Sequence, residues 1–340
     1  MTGRVLTAAC VALAGCAPAP RWLAVGTSDA VVFLDGRLHQ VARAPLPIEP
    51  QQLAFAPDGA SLFIGAAQRP GLSLLARLPR EGGALGGTSV EGDVRRLAFT
   101  RDGRTLLLAT SRGPTGLMVA STATLAVTRI AIACDANDLV ATASGERAYL
   151  ICADGKVVEV DPALQLVVQV ADLGGREPRC EPAAAALSAN GTVLFVACAA
   201  SGALLYLDRV TLAPFDSLTI PSGARHLAVS GRHALLTIPG VEGQLVIVDV
   251  RARSVQQVVS LPGALNVAVT AAGRRALVTA PPRIIEVDVD TGQVLQDTTH
   301  AGITGSLALW PGPWEPRIRW DYCCPGAISA TVSGGPASKS

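Results

Sequence analysis

The sequence predicts an all-β chain folded as a seven-bladed β-propeller of four-stranded blades. Three observations predict it. A unit of strand, turn, strand, turn, strand recurs about every 40 residues; its strands are apolar on consecutive residues except for the last; and each chain end carries the part of a unit that the other end lacks. The unit is plainest in residues 180–208. It is duplicated in residues 134–161, where Cys134, Gly145 and Cys152 precede Cys180, Gly191 and Cys198 by 46 residues each.

Taken in order, the chain starts with an export signal. One basic residue, Arg4, precedes an apolar run over 5–12 and then Leu13-Ala14-Gly15-Cys16, too short a stretch to span a bilayer. Those last four residues resemble the lipobox of bacterial lipoproteins. The resemblance implies a signal peptide over 1–15, lipid on Cys16 and a short linker ending at residue 21. Ala17, where many inner-membrane lipoproteins have aspartate, implies the periplasmic face of the outer membrane or the cell surface.

Three strands follow at 22–26, 30–35 and 37–41, with no strand before them. The repeat then begins. LAFAPDG, LAFTRDG, LVATASG, ALSANG, LAVSG, VAVTAAG and LALWPG end at Gly59, Gly103, Gly145, Gly191, Gly231, Gly273 and Gly312, spaced by 44, 42, 46, 40, 42 and 39 residues. Asp-Gly and Asn-Gly supply the positive φ of a two-residue hairpin turn. A second strand follows each turn, and a third ends at or near an aspartate such as Asp161, Asp208, Asp249 or Asp288. Consecutive apolar residues mark strands buried on both faces, whereas the fourth strands (LQLVVQV from Leu164, SVQQVVS from Ser254, QVLQDTT from Gln293) are more polar. That gradient fits blades packed around an axis, since a two-sheet sandwich would alternate along most strands. The last first strand, 305–310, completes the blade begun by the three N-terminal strands, so the ring closes over 22–312. A ring closed within one chain predicts a monomer.

Units such as LVIVDVRARSVQQVV and IIEVDVDTGQVLQD are similar to the YVTN-type repeats of bacterial seven-bladed propellers, seen also in relatives of lactonases and of the quinoprotein amine dehydrogenase heavy chain. The resemblance covers 22–312 and implies the fold. No catalytic set of those enzymes maps onto these positions residue by residue.

Of the 340 residues 49% are hydrophobic and 16% charged, which suits a globular chain with a large core. Lys+Arg 28 against Asp+Glu 27 leaves no field to draw nucleic acid. Cys10 leaves with the signal. Cys134 is expected to bridge to Cys152 and Cys180 to Cys198, because each earlier cysteine precedes a first strand and each later one ends the second strand at the same face; a cross between neighbouring connections is the alternative. Cys323 and Cys324 then pair as a vicinal ring or bond an outside partner. The four histidines are His39, His226, His233 and His300, and CxxC and HExxH are absent, so no metal or other cofactor is expected. The tail over 313–340 carries Trp314, Trp320 and Tyr322, which with Trp310 either cover the closing blade or dock a partner; its end, SGGPASKS, reads as disordered.

The residues just ahead of each first strand are Gln51-Gln52, Arg95-Arg96, Asn137-Asp138, Ala184-Ala185, Arg225-His226, Leu265-Asn266 and Gly305-Ser306. Arg95, Arg225 and His226 suit a carboxylate or phosphate, with Asn137 and Asn266 as neutral donors. The alternative is that the arginines bond neighbouring carbonyls and water fills the channel. Three functions fit: a non-catalytic envelope lipoprotein binding a protein partner or small anionic ligand, a lactonase-like hydrolase, or an accessory subunit of a periplasmic redox system. A hydrolase would need acid and base together, for example Asp138 within reach of His226.

Overall fold

The computed structural model describes residues 23–79, 85–113, 116–175, 179–270 and 272–310. Cys16 and the tail residues Trp314, Trp320, Tyr322, Cys323 and Cys324 lie outside them. The described chain forms seven antiparallel four-stranded sheets arranged as blades. Blade 1 joins both ends of the ring: Ile303–Leu309 is innermost, followed outward by Leu23–Thr27, Ala30–Leu34 and Gln40–Pro45. Blade 2 is Pro50–Phe55, Ser61–Arg69, Leu72–Pro79 and Gly86–Glu91; blade 3 is Asp93–Phe99, Thr105–Ser111, Gly116–Ser121 and Val127–Ala131. Blade 4 is Ala136–Ala141, Ala148–Cys152, Lys156–Asp161 and Leu166–Asp172; blade 5 is Pro182–Leu187, Val193–Cys198, Ala203–Asp208 and Pro214–Thr219. Blade 6 is His226–Ser230, His233–Ile238, Gln244–Asp249 and Ser254–Ser260; blade 7 is Asn266–Val269, Arg275–Ala280, Arg283–Asp288 and Val294–Thr299.

Each innermost strand touches that of the next blade, around to blade 1. The core is correspondingly divided. Each pair of neighbouring blades encloses its own buried cluster, such as Leu107, Leu150 and Val160 between blades 3 and 4, or Leu235, Ile247 and Val278 between blades 6 and 7. Second and third strands supply most of these residues because they alone are covered on both faces. The first strands depart from the expectation of full burial: Ala228, Val229 and Ser230, for example, are only partly covered. The physical reason is the open axis beside them. The outer strands are the ones that meet solvent, as the sequence predicts, although Val90 and Ile130 on those of blades 2 and 3 are buried.

The turns also differ from a simple two-residue hairpin. Ala56 donates its amide to Ser61 O, closing a four-residue loop, and Thr100 with Thr105, Thr142 with Arg147, Ser188 with Val193 and Thr270 with Arg275 repeat the pattern. Only at Ser230 and His233 are two residues enough. Gly59 shows why glycine stands in this loop: its φ is 65°, and a Cβ there would lie 2.1 Å from ring atoms of Trp310. Trp310 itself packs edge-on to Phe55 of the next blade, with ring centroids 5.3 Å apart. The aspartates ending third strands cap the following turn. Amides of Thr211, Ala252 and Thr291 are the main cause that holds Asp208, Asp249 and Asp288 below the usual carboxylate range.

The third N-terminal strand is Gln40–Pro45, later than the 37–41 expected from sequence. The carboxylate of Asp35 accepts the amides of Arg37 and His39 and folds 35–39 into a turn, with buried Leu38 in the left-handed region.

Candidate functional site

All first strands start at one face of the ring. There each blade presents two successive residues: Gln51 and Gln52, Arg95 and Arg96, Asn137 and Asp138, Ala183 and Ala184, Arg225 and His226, Leu265 and Asn266, Gly305 and Ser306. In blades 2 to 5 the register skips the first residue of the pair, a bulge that leaves Gln51, Arg95 and Asn137 exposed. Blade 5 is the exception in exposure, since both its residues are buried alanines. Its pair is Ala183 and Ala184, one residue earlier than the sequence reading, because Ala184 lies opposite Ala197 as Asp138 lies opposite Ile151.

Much of this polar rim ties blades together. Asp138, 5% exposed, accepts Arg96 Nε from blade 3 at 3.1 Å, its own neighbour's amide (Leu139) at 2.9 Å and the Ala185 amide of blade 5 at 2.9 Å. Asn137 Nδ2 donates to Pro182 O of blade 5 at 2.8 Å. Thr237 donates to Leu265 O and Thr279 to Gly305 O, both at 2.8 Å, and Ser306 donates to Pro50 O at 3.0 Å, linking blades 6, 7, 1 and 2 in turn. Fixing these groups costs the mouth its only buried carboxylate among these rim residues: Asp138 already receives three donors.

The residues expected from sequence therefore divide. Arg95 Nε donates to Ser111 Oγ at 2.6 Å within blade 3, leaving the rest of its guanidinium outward. Arg225 is exposed; its amide donates to Thr237 O at 3.0 Å, and its side chain makes no hydrogen bond or ion pair among the described residues. Asn266 is buried and accepts the Val267 amide at 2.9 Å, and Asn137 serves the seam to blade 5. His226 is half-buried. Burial first, then the charges of Arg96 and Arg225, lower its pKa to about 3, so the imidazole is neutral at ordinary pH. No hydrogen bond joins it to Asp138 among the described residues. The Arg96–Asp138 pair is the feature that a residue-by-residue reading passed over, although its signal was present in the juxtaposed Arg95-Arg96 and Asn137-Asp138 of successive blades.

The two expected disulfides are present beside this mouth. Cys134 is bonded to Cys152 and Cys180 to Cys198, with Cα atoms 5.2 and 5.0 Å apart. Each bridge ties the loop entering a first strand to the end of the second strand. A cavity of about 670 Å³ lies elsewhere, at the opposite face between blades 2 and 3, lined by Arg77, Pro79, Gly86, Thr124 and Leu125 among others. Arg77 there donates to Ser61 Oγ at 2.9 Å and to Thr122 O at 3.3 Å.

No protein-family model matches the chain, and no curated protein matches it in sequence. Solved structures do. A functionally unknown protein from Desulfotomaculum acetoxidans DSM 771 superposes with a TM-score of 0.68 at 14% identity over 85% of this chain and 98% of its own. A Bacteroides uniformis ATCC 8492 protein to which 6-phosphogluconolactonase activity is ascribed gives 0.67 at 16% identity over 86% and 99%. The dihydro-heme d1 dehydrogenase NirN gives 0.60 at 16% identity over 85% and 75%. At these identities the likeness is one of fold alone.

Proposed function

We propose that this chain is a non-catalytic binding propeller of the bacterial envelope, tethered by lipid on Cys16, that takes a small anionic ligand or an acidic group of a protein partner at the channel mouth. The observation that carries the reading is the imbalance of free groups there. Asp138 is fully engaged, whereas the Arg225 guanidinium and the outer nitrogens of Arg95 remain available beside a neutral His226. A site rich in unpaired donors and poor in acceptors recognises carboxylate or phosphate oxygens. The lactonase-like alternative needs a carboxylate that orients a basic imidazole. Here the carboxylate bonds Arg96 and two amides, and an imidazole with a pKa of about 3 is a weak base.

Thermal stabilisation by a panel of carboxylates and phosphates tests the reading, because a ligand bound only by the folded state raises its melting temperature. Arg95→Ala combined with Arg225→Ala removes any shift that the wild type shows. A panel that shifts neither protein overturns anion binding at the mouth. The tether is checked separately: Cys16→Ser abolishes lipid labelling and membrane fractionation.

A further inference from the structure

The first residue of each rim pair carries a charge on two blades alone, as Arg95 on blade 3 and Arg225 on blade 6, both exposed. Two blades separate them on one side of the ring and three on the other, so the two arginines stand across the axis from each other. The residues at the same position elsewhere are Gln51, Asn137, Ala183, Leu265 and Gly305.

Two bonds keep these arginines on their own sides. Arg95 Nε donates to Ser111 Oγ at 2.6 Å, and Ser111, 4% exposed, ends the second strand of blade 3, one strand outward from the channel. That bond draws the guanidinium over blade 3 and away from the axis. Arg225 is fixed by its amide, which donates to Thr237 O on the second strand of blade 6. The rim between them does not favour negative charge. On the shorter arc, exposed Asp135 and Glu181 precede the rim residues of blades 4 and 5 by two positions. On the longer arc, exposed Glu49 does so on blade 2, and blades 7 and 1 present Leu265, Asn266, Gly305 and Ser306, none of them a cation. Coulomb attraction therefore favours an anionic group at blade 3 and at blade 6, and repulsion or the lack of a counter-charge disfavours it between them.

The geometry points to a two-ended dianion as the ligand: a carboxylate or phosphate at each end, one paired with Arg95 and the other with Arg225, joined by an uncharged spacer that crosses the mouth over His226. The inference rests on the anion-binding reading above and deepens it. Each guanidinium keeps N–H donors for one such group, Arg95 through its two outer nitrogens. Once one end is held, the other binds from a high effective concentration. Affinity then depends on the spacer, falling away when it is too short to reach and peaking where its length matches the span.

Titration calorimetry of the full-length chain in detergent tests this with straight-chain α,ω-dicarboxylates and α,ω-diol bisphosphates of rising length. Each is paired with the one-ended acid or monophosphate of the same length, and comparing the two series shows which head group the mouth takes. In that series binding peaks at one length, about a hundredfold tighter than the one-ended compound. Arg95→Ala and Arg225→Ala each return the best two-ended compound to the one-ended level, with the ligand-free melting temperature unchanged. One-ended compounds that bind as tightly as two-ended ones of every length overturn the inference and leave anion binding at the mouth standing. So do single variants that each abolish binding of the one-ended compounds, since both arginines then hold one anion. If no compound of either kind binds, the inference and the reading beneath it both fall.

Discussion

Blades 4 and 5 secure the loops that lead to the channel mouth differently from blades 6 and 7. In the first two, disulfides between Cys134 and Cys152 and between Cys180 and Cys198 lock each loop to its own second strand. In the other two, the residue opposite the inner rim position is threonine: Thr237 faces His226 and Thr279 faces Asn266, where blades 4 and 5 have Ile151 and Ala197. Each threonine hydroxyl reaches across the seam to a carbonyl of the next blade. The difference teaches that one position in the repeat meets two separate demands. A disulfide stiffens a blade, a threonine joins two blades, and the seams of blade 4 are joined by Asp138 and Asn137 instead.

The largest expected effect breaks the covalent side of this comparison. Each bridge closes a sequence separation of 18 residues, which in the chain-entropy model contributes about 3 kcal/mol. Replacing Cys134 and Cys152 by alanine should lower the unfolding free energy by about that amount, replacing Cys180 and Cys198 should do the same, and the two losses should add. Denaturant unfolding of the three variants measures it. If reductant leaves the wild-type midpoint where it was, the bridges do not stiffen the fold.

An intermediate effect tests the other side, at the rim of blade 6. The folded pKa of His226 is about 3, against about 6.5 unfolded. Between those values the unfolded chain binds the extra proton. The stability tied to neutral His226 is therefore complete above pH 6.5 and lost as pH falls toward 3, with a slope of about 1.4 kcal/mol per pH unit. His226→Gln should flatten the dependence between pH 6.5 and 4.5, while either disulfide variant should keep the wild-type slope. Unfolding curves at several pH values decide it; an unchanged slope in His226→Gln would place the imidazole in solvent.

The ring was legible from sequence because its causes are local and repeated. The glycine turns, the consecutive apolar strands and the duplicated cysteines each recur at a fixed spacing, so one unit informs the next. The mouth was legible only in part. Arg95 and Arg96 look equivalent as adjacent residues, yet the bulge exposes the first and turns the second toward Asp138 of another blade. Such pairing depends on the seam between blades, which no single unit contains. The limit of the strand at Gln40 was hidden for a related reason: the Asp35 carboxylate, not the apolar pattern, ends the preceding turn.

The smallest expected effect isolates the threonine ties. Thr279 is fully buried; its hydroxyl donates to Gly305 O at 2.8 Å and accepts the Asn266 amide at 3.3 Å. Thr279→Val keeps the shape and removes both bonds, leaving a buried carbonyl and amide without that partner, at a cost of about 1 to 2 kcal/mol. Thr237 is equally buried but makes one such bond, to Leu265 O, so Thr237→Val should cost less than Thr279→Val. Because both ties cross a seam, their loss should loosen blade 7 against its neighbours. Amide exchange at Asn266 and Val267 should accelerate in Thr279→Val while that at Leu139 and Val140 of blade 4 stays at the wild-type rate. Equal acceleration in blades 4 and 7 would mean that the threonines support the ring as a whole, and the contrast between stiffened blades and joined blades would fail.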